Sequence, residues 1–546
     1  MSEISHADKS RLRLNWHIVL MTLSMFMTGA SGMVVEYVLS TVSSNLNGTQ
    51  IESFSLTIAI MLGMMGIGGY CQKFVPDENL IEKFVYLEIG LAVISAFAPI
   101  AVYAAFTFTP EHFQLVYYVF AMSIGFMVGF EIPFLTRANA TYTKKLSDNL
   151  SIIFAADYIG AFIGALVWVY LLLPHLHLIQ IGFVLASLNF IVAMATYLYF
   201  KKGRIASSSK LPLVVMSAVA IALVWGSQQV VPWSVIIEQK MYPSPIVDSE
   251  RTRYQQLTLT HDPVAKDTRL YINGNTQFSS IDEIRYHEML VHVPIAMLET
   301  MPTRALVLGG GDGLAVRELR KYPDMSVDLI ELDADMFRWA RTQETMVALN
   351  KGSFEGFEEY HMPDYRSVRE ALSVGVPLSR YRVFFTDASN YVNAFVQSRK
   401  APEYDIVIID LPDPYSLSIN KMYTSQFYKR LQGLLKPKGV VVTQATSPFH
   451  AKPAYLTIGK TLSSGGYDTK PYWHNIPSFG EWGWWMGSTE PLVYRGLKVE
   501  TEYVSDALAR SSFVFGKGAL DGESQVNTMM QPVLIDLYNN ASWKVE

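Results

Sequence analysis

The chain has 546 residues, of which 50% are hydrophobic and 17% charged, with a formal net charge of -5. A charged fraction this far below the roughly 25% of soluble domains, together with 13% aromatics, excludes both a single soluble globule and a disordered chain. The lack of a basic excess gives no nucleic-acid footprint, and a single cysteine, Cys71, excludes an internal disulfide or a multi-thiolate metal centre.

Seven apolar runs come first, near residues 16–39, 54–70, 84–108, 113–135, 152–173, 178–200 and 211–227. Each is close to the roughly 20 residues that carry a helix across a bilayer, which predicts a multi-pass bundle over 1–232. The first run is too long for a signal-peptide core. Basic residues collect in alternate loops: Arg11 and Arg13; Lys73 and Lys83; Arg137, Lys144 and Lys145; Lys201, Lys202, Arg204 and Lys210. Charge bias therefore sets the amino terminus in the cytoplasm, the membrane being the cell membrane if the source is a bacterium; seven spans carry the following half to the other side unless one apolar run is re-entrant, so the side of that half stays open. Small residues Gly63, Gly66, Gly68, Gly69, Gly160 and Gly164 predict close helix packing. Glu36, Glu88, Glu131 and Asp157 sit near hydrocarbon depth, where an acid is either internally bonded or faces a cation path.

From about 236 to 281 the pattern turns to period-two and β-branched, and Asn273-Gly274 signals a hairpin, predicting a β-rich subdomain over 233–300. Residues 301–546 then alternate strand and helix: Ala305-Leu-Val-Leu, the turn Gly309-Gly310-Gly311-Asp312-Gly313, a helix over 314–321, and Val327 to Glu331. Later strands are Val383-Phe-Phe, Ile406 to Ile409 and Gly439-Val-Val-Val-Thr. This alternation predicts a doubly wound, mostly parallel sheet with its ligand at the strands' carboxyl ends.

The glycine turn is not the dinucleotide fingerprint, because Leu314 stands where the last glycine belongs and Asp312 would repel a pyrophosphate. A nucleoside with a positive group near Asp312 fits better. Glu331 is placed to accept from a ribose and Asp387 from an adenine amino group, although an acid at such a junction also caps the following helix. Asp410-Leu-Pro-Asp413-Pro ends an apolar strand and suits binding and deprotonation of a cationic amine, the alternative being a solvated turn.

Arg253-Tyr-Gln255, Asp282-Glu-Ile-Arg-Tyr286-His287-Glu-Met-Leu, Leu308-Gly-Gly-Gly-Asp312-Gly, Ile330-Glu331-Leu-Asp333, Thr386-Asp387-Ala and Ile409-Asp410-Leu-Pro-Asp413-Pro, in this order, resemble the spermidine synthase family of polyamine aminopropyltransferases. The resemblance covers about half the chain. It implies a Rossmann-like, methyltransferase-like fold, decarboxylated S-adenosylmethionine as co-substrate, a polyamine such as putrescine as acceptor, and methylthioadenosine as by-product. It implies no metal or permanently bound cofactor. By motif, Gln255, Gly309, Gly311, Glu331 and Asp387 hold the nucleoside, His287 and Asp312 the aminopropyl end, Asp410 is the base, and Tyr286 and Asp413 orient the amine. It also implies a homodimer, although a membrane half competes for that contact. A cytoplasmic donor conflicts with the side that loop charge assigns to this half. Departures fall at the acceptor end: Asn273 stands for an aspartate, Tyr415-Ser-Leu-Ser for Gly-Pro, and Phe479 for a tyrosine. Two other readings stay open: a lyase, cyclase or transferase of intact S-adenosylmethionine, and a transporter or sensor that binds without turnover.

Overall fold

The computed structural model describes residues 16–541 apart from 48–49, 141, 143–144, 203–210, 378, 399–400 and 402, so the charges expected at Arg11, Arg13, Lys144, Arg204 and Lys210 lie outside the described residues. The chain divides into two compact units, Met1–Pro243 and Ser244–Glu546.

The first unit contains seven long helices, α1 Trp16–Asn47, α2 Gln50–Cys71, α3 Leu80–Phe108, α4 Phe113–Asn139, α5 Leu146–Val167, α6 Leu178–Lys202 and α7 Leu211–Met241. All seven are long and apolar enough to cross a membrane. Small residues set how closely they pack. Atoms added as a Cβ at Gly160 and Gly164 of α5 would stand 2.1 and 2.6 Å from the Phe26 and Ala30 carbonyls of α1. The pair Gly125 and Gly129 of α4 meets Met61 and Met65 of α2 in the same way, whereas a Cβ at Gly63 or Gly66 would meet nothing within 4 Å. The outward surface is apolar, with Tyr158, Phe162, Tyr170, Ile221 and Val224 all exposed. Glu88 and Glu131 are buried, and among the described residues neither carboxylate oxygen of Glu88 has a hydrogen-bond partner.

Helix α7 continues to Met241, so Ile236 and Ile237, expected in extended chain, are helical. A short β-branched run reads equally as helix or buried strand, and a helix already in progress decides the matter. The second unit opens instead with β1 Ile246–Arg251, β2 Gln256–Asp262, β3 Asp267–Ile272 and β4 Asn275–Ser279, an antiparallel sheet in sequence order. Asn273 and Gly274, at φ 51° and 83°, form the tight turn joining β3 to β4. Helix α8, Glu283–Ile295, follows.

The main sheet comprises β5 Arg304–Gly309, β6 Ser326–Glu331, β7 Glu358–His361, β8 Tyr381–Phe385, β9 Tyr404–Asp410, β10 Leu435–Gln444, β11 Asp468–Ile476 and β12 Gly480–Ser488. Its spatial order is β11-β12-β10-β9-β5-β6-β8-β7, with the pairs from β10 to β7 parallel and the β12 and β11 pairings antiparallel. Alternate residues feed two cores. Val307, Leu329, Ile406, Ile408 and Val442 bury on one face, and Leu306, Leu308, Ile330, Phe384, Val407 and Val441 on the other, which is why these strands read as unbroken apolar runs. Consecutive strands leave β5 in opposite directions, so β5 and β9 flank the switch point where a crevice opens at the carboxyl ends.

Candidate active site

The crevice is built around the turn between β5 and α9, Leu314–Leu319. Gly309 pairs with Asp410 across β5 and β9, at φ 83°, and a Cβ there would stand 2.2 Å from the Asp410 carbonyl. At Gly311 a Cβ would lie 2.6 Å from Oε2 of Glu331, the last residue of β6. Glycine thus lets the turn settle between two acids that end the neighbouring strands. The Asp312 carboxylate accepts from the Leu314 N–H at 2.9 Å.

Glu331 accepts from the Asp333 N–H at 2.8 Å, and burial, with Asp333 and Asp312 nearby, raises its carboxyl to about 7. Asp333 in turn accepts from the Thr252 hydroxyl at 2.5 Å, and Thr252 takes the Gln255 N–H into the same turn. The β1–β2 hairpin, and with it Gln255, is thereby docked beside the Glu331 strand end. Asp387 follows β8 and caps α10, Ala388–Gln397, through the Ser389 and Asn390 N–H groups, while its other oxygen pairs with Lys421. The expected adenine acceptor is therefore also the helix cap and half of an ion pair.

At the other side of the turn, the Tyr286 hydroxyl of α8 donates to Asp410 at 2.9 Å. Burial and Asp312 raise the Asp410 carboxyl to about 6, against the pull of His287 and the tyrosine. The Asp413 carboxyl also rises to about 6 through burial, with the Gln444 amide and the Tyr538 hydroxyl each donating to it at 3.0 Å. Gln444 is fixed at the end of β10 by donating to the Leu411 carbonyl and to the Tyr423 oxygen. Neither Asp410 nor Asp413 has an ion-pair partner among the described residues, and both stay partly open to the crevice.

His287 differs. Burial opposes its protonation, but Glu283, with Asp312 and Asp410 beyond, outweighs it and lifts the imidazole to about 9. Its Nδ1 lies 2.8 Å from Glu283, which Arg317 holds with two bonds of 2.7 and 2.9 Å. Arg317 continues to Glu318, and Glu318 to His292 and Lys321. Glu288, His292 and Glu318 stand close enough to hold a metal ion, yet protein donors already occupy their ligand atoms. Glu288 takes Lys321 and the N–H groups of Glu502, Tyr503 and Val504, and His292 takes Glu318 and the Tyr322 hydroxyl.

The structure thus brings Tyr286, His287, Gly309, Gly311, Asp312, Glu331, Asp410 and Asp413 to one crevice. Sequence reading missed Glu283, although it stands four residues before His287 on one helix face. It also missed Arg317, Gln444 and Tyr538, for which no local pattern exists. Two of the departures meet each other: Asn273 at the hairpin tip hydrogen-bonds Tyr415 beside Asp413. The third, Phe479, lies edge-on to Tyr286 at 6.4 Å, in a loop held by Ser478 on Asp282.

A family model described as Spermine/spermidine synthase domain matches residues 283–495. Polyamine aminopropyltransferase 2 of Aquifex aeolicus is 34% identical over 94% of this chain and 97% of its own. The polyamine aminopropyltransferase of Oceanobacillus iheyensis is 32% identical over 93% of this chain and 95% of its own. A solved spermidine synthase in complex with the transition-state analogue AdoDATO is 22% identical, covering 50% of this chain and 86% of its own at a TM-score of 0.42.

Proposed function

The chain belongs to the polyamine aminopropyltransferase family, transferases of alkyl groups other than methyl, and from that premise we infer that it transfers the aminopropyl group of decarboxylated S-adenosylmethionine to a polyamine such as putrescine. The observation that carries this reading is the pair of crevice carboxylates, Asp410 and Asp413, neither of which has an ion-pair partner among the described residues, with only the His287 charge acting on Asp410 from beyond hydrogen-bond contact. Unpaired buried acids are costly, and a cationic amine supplies the missing charge.

In this reading Gln255 and Glu331 hold the nucleoside, the latter through the ribose hydroxyls, with Asp387 at the base. Asp312 holds the donor's amino end near His287. Asp413 binds the acceptor, and Asp410, kept in place by Tyr286, takes a proton from the attacking ammonium. The freed nitrogen lone pair forms a bond to the carbon beside sulfur as the carbon–sulfur bond breaks, and its electrons neutralise the sulfonium. Methylthioadenosine leaves, and the product keeps a secondary ammonium. A carboxyl near 6 is matched to such a proton transfer at neutral pH, and the rest is proximity and alignment. The seven helices with their apolar exterior support an integral-membrane form.

The test is mass spectrometry of the detergent-purified chain incubated with decarboxylated or intact S-adenosylmethionine, with and without diamines. Methylthioadenosine plus a lengthened polyamine, formed only with the decarboxylated donor and an amine, is the expected result. Methylthioadenosine from the intact donor without amine would point to a lyase or cyclase, and binding without product to a sensor or transporter.

A further inference from the structure

The last described helix, α11 Val533–Asn539, lies far beyond the sequence motifs yet ends in the crevice. Leu534 is fully buried in the core that includes Leu456 and Tyr423, with Leu537 packed against it. Asn527, just upstream, donates to the Asn420 side chain at 3.0 Å and the Tyr423 carbonyl at 2.8 Å, while Ser425 N–H donates to its carbonyl at 3.0 Å. These contacts fix the helix so that the Tyr538 hydroxyl donates to Oδ2 of Asp413, while Gln444 donates to Oδ1. We propose that Tyr538 is a positioning residue of the acceptor site, holding the Asp413 carboxylate aimed and ionised for the amine that is not being alkylated. The proposal rests on the aminopropyltransferase reading and assigns the carboxy-terminal helix to recognition of the polyamine acceptor.

The groups facing Asp413 are Gln444 from β10, Tyr415 from its own loop, Tyr286 from α8, Tyr423 and Tyr538, with Asp410 beyond. All donors in this set are neutral. Each hydroxyl or amide that donates to the carboxylate favours its charged form, so losing the Tyr538 hydroxyl makes Asp413 harder to ionise. An ammonium is bound by the carboxylate and not by the acid. The acid limb of amine binding therefore moves to higher pH when the hydroxyl is removed, while the donor site, built on β5 and β6, is untouched.

The experiment is calorimetric titration of a diamine and of methylthioadenosine into the full-length protein and its Tyr538→Phe and Tyr415→Phe variants, from pH 5.5 to 8.5, with thermal unfolding of each. Tyr538→Phe is expected to shift the acid limb upward by about one unit, weakening diamine binding about twofold at pH 7 and approaching tenfold below pH 6, with nucleoside affinity and unfolding temperature unchanged. Tyr415→Phe, which loses the contact with Asn273 but no donor to Asp413, leaves the acid limb in place. An unshifted limb in Tyr538→Phe, or equal loss of nucleoside and amine binding, overturns the proposal. If the unmodified protein binds no diamine at any pH, the functional reading falls and takes this proposal with it; product formation by the unmodified protein with an unshifted variant removes the proposal alone.

Discussion

Two sets of carboxylates in the second unit, one buried behind the crevice and one partly open to it, are treated oppositely. Behind the crevice, Glu283, Glu288 and Glu318 are matched by Arg317, Lys321, His287 and His292, and Glu283 and Glu318 are held below the usual carboxylate range because these partners outweigh burial. In the crevice, Glu331, Asp410 and Asp413 have only neutral donors, and burial leaves their carboxyls at about 7, 6 and 6. In the proposed function, the layer whose acids lack ion-pair partners among the described residues is where the cationic amine binds. The rear network also holds His287 in place, so the matched layer is the support on which the unmatched one is built.

The largest effect that separates the layers is catalytic. Asp410→Asn is expected to lower the rate constant by about 10²–10⁴-fold at saturating substrates while nucleoside binding is kept, measured by single-turnover formation of methylthioadenosine. Loss of nucleoside binding in the same variant would place Asp410 in the donor site instead.

The matched layer is expected to respond in stability. Arg317→Met leaves Glu283 and Glu318 without their shared cation and should cost about 3–5 kcal/mol, seen as a lower denaturation midpoint of the second unit, because removing one partner strands a buried charge. Asp413→Asn should do the reverse. The carboxyl is raised in the folded chain, so its ionisation opposes folding, a penalty absent below the ordinary carboxylate range and complete once pH rises through about 6. The substitution is therefore expected to stabilise the fold at pH 8 by on the order of 1 kcal/mol while abolishing tight diamine binding. Thermal unfolding at pH 8 and pH 5 reads the difference, and destabilisation at both would show that Asp413 is structurally satisfied.

Between these lies the nucleoside. If Glu331 accepts from the ribose hydroxyls in its ionised form, as proposed, donor affinity is expected to be flat well above pH 7 and to weaken by about tenfold per unit as pH falls below about 7. Glu331→Gln should remove that dependence along with roughly 10–100-fold of affinity. A pH profile unchanged in the variant would assign the titration to another group.

The geometry of the proposed donor side was legible in the sequence because one turn and the ends of adjacent parallel strands build it. Gly311 and Glu331 are each local signals, and the parallel pairing of β5 with β6 brings them together. The proposed acceptor side draws on residues far apart in the chain. Asp413 meets Gln444 from β10 and Tyr538 from the final helix, contacts that only tertiary packing creates. Asn273 and Tyr415, which look like two independent departures in sequence, are one hydrogen-bonded contact in the fold. Asp387 shows the opposite difficulty: one residue is legible both as cap and as ligand, and the cap and the Lys421 pair are what the fold displays. The helical unit was legible as seven apolar runs, since length and hydropathy alone decide them, whereas Gly63 and Gly66 show that a small residue does not by itself identify a packing face.

The most direct measurement of the unmatched crevice is the proton balance of diamine binding, obtained by calorimetry of the full-length protein at pH 6 in two buffers of different ionisation enthalpy. If Asp410 and Asp413 await a cation, the ammonium groups draw their carboxyls into the ionised form and protons are released to the buffer at pH 6, with release vanishing by pH 8. Diamine binding with no proton release at pH 6, or with release that persists in a variant carrying both Asp410→Asn and Asp413→Asn, would contradict the account.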